Sequence, residues 1–67
     1  MTLLTAAKRR YEAKIAEAEA IIILYLEDPQ AVADHSNLLD EIDKWLGILA
    51  ESEDKLDALI GVEEDSR

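Results

Sequence analysis

Four carboxylates and the only imidazole of the chain cluster near its middle: Asp34, His35, Asp40, Glu41 and Asp43. Carboxylates and histidines facing into a helical bundle can hold a pair of metal ions, and the spacing that puts two ligands on one helix face is Glu-x-x-His. Position 32, three before His35, is a valine, and Asp40, Glu41 and Asp43 fall mostly outside the apolar stripe of their helix. These residues therefore read as a solvated acidic face. With one histidine and no cysteine, neither a multi-histidine nor a thiolate zinc site can be assembled. His35, which could act as a pH switch or ligand, reads instead as a partly exposed residue at a bend. No nucleophile–base pair and no glycine-rich phosphate loop occurs. The expectation is a protein with no catalytic residues, no cofactor and no metal of its own.

The elements that would carry these residues are helices. From Val32, steps of three and four give His35, Leu39, Ile42, Leu46, Leu49, Glu53, Leu56 and Ile60, a heptad series interrupted only by His35 and Glu53. A second row, Leu38, Trp45, Ser52 and Leu59, lies beside it and widens the stripe. Before it, Leu4, Ala7, Tyr11, Ile15, Ala18, Ile22 and Leu26 repeat with an eleven-residue period, which suits a nearly straight helix. Asp28-Pro29 separates the two patterns, because proline disfavours helical geometry in the residue before it. The spacing predicts an all-α antiparallel hairpin with helices over about 3–27 and 29–60. A start of the second helix near Ser36 and Asn37, both good caps, is the alternative. Gly61 is expected to stop the helix as its C′ residue, leaving 61–67 as an acidic, frayed tail.

Length and charge bound what such a hairpin can do. The 67 residues make one domain, below the ~70–80 at which a single core suffices, so the chain needs a staple. A disulfide is excluded, which leaves oligomerisation. Sixteen acidic against seven basic residues give a net charge of −9. That balance argues against nucleic-acid backbones and anionic membranes and favours a basic partner. The most apolar run, Ala20 to Leu26, is too short to span a bilayer. With no targeting segment visible, the cytoplasm is the default location.

Two features go beyond what one hairpin can cover. Ile21 to Leu26 is apolar around its whole helix, and Trp45 and Ile48 extend the apolar face of the second. Tyr11, Ile15, Ile22, Tyr25, Leu26, Leu39, Ile42, Trp45, Leu46, Ile48, Leu49 and Leu56 are therefore the expected self-association or partner interface. The basic start of helix one would lie beside the acidic end of helix two, with Arg9 or Arg10 opposite Glu53 to set the register. In size and plan the chain is similar to the small plasmid-borne RNA-binding hairpins that dimerise into four-helix bundles, although its charge argues against their function. The expected function is an oligomeric scaffold, assembly or adaptor subunit, a dimer in preference to a trimer. The alternative is an acidic inhibitor or nucleic-acid mimic that occupies a basic site on another protein.

Overall fold

Thr2 starts the first helix. Its backbone is extended, and its Oγ1 accepts a hydrogen bond from the Thr5 amide at 3.1 Å, satisfying one of the free donors of the first turn. Helix α1 then runs Leu3–Glu27, as its uninterrupted pattern predicts. Asp28 ends it. The Asp28 amide still donates to the Leu24 carbonyl, while its side chain accepts from the Gln30 amide at 3.2 Å. That contact starts the short 3-10 turn Pro29–Ala31.

The computed structural model describes residues 2–31 and 37–66. The expectations for Val32, Asp34, His35 and Ser36 fall outside the described residues. Helix α2 runs Leu38–Asp65 with Asn37 as N-cap, so it begins well after Pro29. The start falls where Asn37 stands rather than where the apolar phase through Val32 would place it, although the Asn37 side chain makes no capping hydrogen bond to the helix. Asp40 and Glu41 occupy its first turn, where their charge suits the helix dipole. Gly61 does not end the helix: no glycine in the described residues has a positive φ, and α2 continues four residues beyond it. Residues 61–65 are therefore helical rather than frayed. Ser66 closes the helix by donating its amide and hydroxyl to the Glu63 carbonyl.

The two helices pack antiparallel. Lys8 Nζ meets Glu63 Oε1 at 2.6 Å, and Ile15 shares a cleft with Leu56. In that register Ala18 lies level with Ser52, and Tyr25 with Trp45. Ala18 and Ser52 are also the two buried residues, at 0% and 3% exposure. Two small side chains at the same level let the backbones approach closely at mid-seam. The late start of α2 explains why the register differs from expectation: Arg9 and Arg10 lie level with the last turns of α2, two turns beyond Glu53. An interhelix ion pair joins Lys8 to Glu63.

Which row of α2 turns inward is decided by Glu53. The half-buried and buried positions are Leu38, Ile42, Trp45, Leu49, Ser52, Leu56 and Leu59, with Glu41 and Ile48 at one margin and Gly61 and Glu63 in the last turns. This is the row beside the expected seam, combined with half of that seam. Seating Leu39, Leu46 and Ile60 inward would bring the Glu53 carboxylate with them, and an unpaired buried charge costs several kcal/mol. Seating Ser52 inward costs far less. The result is a rod of 49 × 19 × 15 Å with a Cα radius of gyration of 15.0 Å, whereas a compact chain of this length would have about 11 Å.

Candidate functional site

The groove along one flank of the rod gathers several of the apolar side chains that the hairpin leaves in water, while Leu3, Leu24 and Val62 are exposed elsewhere. A cleft of about 270 Å³ between the helices is lined by Ile15, Glu53, Leu56, Asp57 and Ile60. Helix periodicity extends it towards the bend. Leu26 lies in the same row of α1 as Ile15, eleven residues on, and Leu46 and Leu39 lie in the row of Glu53 and Ile60, at seven-residue steps. These outward residues are well exposed: Leu39 78%, Leu26 65%, Leu46 48% and Ile60 37%. Ile23, three residues before Leu26 on α1, is 53% exposed. Isolated apolar residues on a surface need no explanation, but a row on each bank of one groove does.

The residues expected at an interface thus divide into two sets. Tyr11, Ile15, Ile22, Tyr25, Ile42, Trp45, Ile48, Leu49 and Leu56 are half-buried where α1 meets α2. Leu26, Leu39 and Leu46 face away from the partner helix. Arg9, Arg10 and Glu53 are all exposed. Arg10 borders a separate cleft on α1 with Leu3, Ala6, Ala7 and Tyr11. Sequence reasoning did not single out Lys8 and Glu63, since the signal for that pair depends on the register, and hence on where α2 starts. Ile23 and Ile60 were visible in the sequence as part of an apolar run and of the seam, but their outward placement was not.

The opposite flank is charged. Lys55 Nζ lies 2.7 Å from Glu51 Oε1, one turn away, and 5.9 Å from the centroid of the Tyr11 ring across the seam. The Lys55 hydrogen bond and charge hold the Glu51 carboxyl below the usual carboxylate range, and the charge of Lys14 adds to this. The Lys55 ammonium is in turn held above its ordinary value by Glu51. These groups are solvated, so the pair orders the surface more than it stabilises the fold. Trp45 packs with its Nε1 buried and no acceptor among the described residues, while Lys44 Nζ sits 5.4 Å from its ring centroid.

Of the acidic centre, Asp40 and Asp43 are exposed and Glu41 is half-buried. Among the described residues no three histidine, cysteine, aspartate or glutamate side chains are grouped to hold a metal ion. No helix among them is long and apolar enough to cross a membrane. Comparison with protein-family models, curated proteins and solved structures finds no match for this chain.

The total surface carries the remaining argument. The chain exposes 4989 Å². A folded monomer of its 7.5 kDa mass exposes about 4,250 Å², so the hairpin carries an excess of roughly 700 Å². One partner in a standard protein–protein interface covers ~800 Å².

Proposed function

We propose that this chain is a small acidic protein–protein interaction module, an assembly or adaptor subunit that performs no catalysis and completes its apolar surface on another chain. The observation that carries this reading is the groove whose banks hold Leu26, Leu39, Leu46 and Ile60 in water, on a hairpin that buries only two of its described residues. A surface excess close to one partner's share of an interface supports it further. The state proposed for the protein alone is a homo-oligomer, a dimer forming a four-helix bundle in preference to a trimer, since closed symmetric assemblies are the common outcome. Its net charge of −9 supports neither a nucleic-acid backbone nor an anionic membrane as partner. A cytoplasmic location is part of the same reading.

The direct test is the double variant Leu39→Glu/Leu46→Glu, studied by light scattering after size exclusion. Both leucines are exposed in the single hairpin, so the protomer can keep its own contacts. The expected result is a fall to the 7.5 kDa monomer. An oligomer that survives the double charge would refute this surface.

A second reading has its own support. Asp40, Asp43, Asp54 and Asp57 are all exposed along α2, as an acidic inhibitor or nucleic-acid mimic would require. Binding through those carboxylates alone would weaken steeply with salt and would tolerate the leucine replacements.

A further inference from the structure

We infer that the groove is also the docking site for a basic amphipathic helix of a different protein, which competes with self-association. This rests on the interaction reading above and adds the chemistry of the partner. The floor of the groove is apolar, at Ile15 and Leu56 with Ile60 on its bank, but its walls are acidic. Glu53 and Asp57 line the cleft directly. Glu12 and Glu19, three residues before and four after Ile15, share its side of α1 and are exposed. Lys8, one further turn away, is already engaged by Glu63.

An apolar channel between carboxylate walls complements one kind of helix: an apolar stripe at positions three and four apart, flanked by lysine and arginine. A second copy of the chain matches the floor but brings its own acidic walls against these. Like charges facing each other across an interface oppose binding, whereas opposite charges add to both rate and specificity. The row from Leu39 to Ile60 spans about 30 Å along α2, so the channel accommodates a helix of roughly twenty residues.

The test uses the whole chain and a synthetic twenty-residue Leu/Lys helix with an amphipathic pattern, beside a scrambled peptide of the same composition. Calorimetric titration at 150 mM salt should show the patterned peptide binding at least tenfold more tightly than the scrambled one, with affinity falling as salt rises. Sedimentation should show the complex as one hairpin with one peptide. Glu53→Lys/Asp57→Lys should weaken the patterned peptide at least tenfold while leaving self-association intact or stronger.

Equal binding of the two peptides would overturn the inference, because charge alone would then explain the affinity. So would a patterned peptide that leaves the mass distribution of the chain unchanged, since the groove would then belong to second copies alone. A chain that is monomeric without peptide, yet binds the patterned helix, supports the docking site and counts only against the homo-oligomer.

Discussion

The two flanks of this hairpin solve the problem of facing water differently. On one, Lys55 links Glu51 to the Tyr11 ring, and Lys44 lies over Trp45, so long cationic side chains shield aromatic surface while their heads stay solvated. On the other, Leu39, Leu46 and Ile60 stand in the open, and Glu53 and Asp57 line the cleft beside Ile60. The first flank covers its aromatic rings and leaves the separate side chains Leu3 and Val62 in water. The second is apolar enough to need a cover, and acidic enough to prefer certain covers over others. A single chain that shields one side and not the other has a direction built into it.

The largest effect that could break this contrast is on assembly. Placing charge on the open flank, as in Leu39→Glu/Leu46→Glu, should cost the assembly about 2–4 kcal/mol, given ~1.5–3 kcal/mol for each leucine fully buried and exposures of 78% and 48% in the hairpin. The matched change on the shielded side, Leu3→Glu or Val62→Glu, should leave the measured mass unchanged even though both residues are exposed. If both sets of variants dissociate the protein equally, the flanks are not different in kind.

A smaller effect concerns the seam that separates the flanks. Ala18→Leu forces a large side chain into the mid-seam position level with Ser52. It should lower stability by roughly 1–3 kcal/mol in denaturant unfolding. A neutral result would mean that close approach at Ala18 and Ser52 does not hold the register.

Smaller still are the effects at the two glycines of α2. A Cβ added at Gly47 or Gly61 meets nothing within 4 Å. Each glycine-to-alanine change should stabilise the helix by up to ~1 kcal/mol and raise Tm by a few degrees. Loss of stability at either position would reveal a partner's backbone against that face.

The smallest effect is at the surface pair. Because the Glu51 carboxyl titrates below its ordinary value, its contribution is present above the normal carboxylate range and is lost as the pH falls through that range. Glu51→Gln should therefore differ slightly from the parent near neutral pH and converge with it in acid, in paired thermal melts. A difference that grows on acidification would contradict the assignment.

Much of this architecture could be read from local pattern. Thr2 and Asp28-Pro29 punctuate α1, and its bounds follow from them. The start of α2 was harder, because the apolar phase and the capping residues point to different places, and only the register between helices separates them. Its end was misread because Gly61 looks like a helix terminator, yet a C′ glycine acts through a left-handed conformation that this one does not adopt. The ion pair that holds the last turns joins Lys8 to Glu63, positions far apart in the sequence.

For the candidate site, the surplus of apolar residues was legible while its placement was not. A stripe two rows wide can turn either row inward, and the choice fell to Ser52 over Glu53 once a small partner, Ala18, stood level with them. Leu39 and Leu46 point outward as a consequence of that one substitution-sized difference between neighbouring rows.

Sedimentation equilibrium combined with helix content on dilution tests the central claim most directly. The account predicts a discrete oligomer, a dimer of about 15 kDa from two 7.5 kDa chains, that loses helicity as it dissociates because part of its core is shared. A monomer whose helix content is independent of concentration would contradict it.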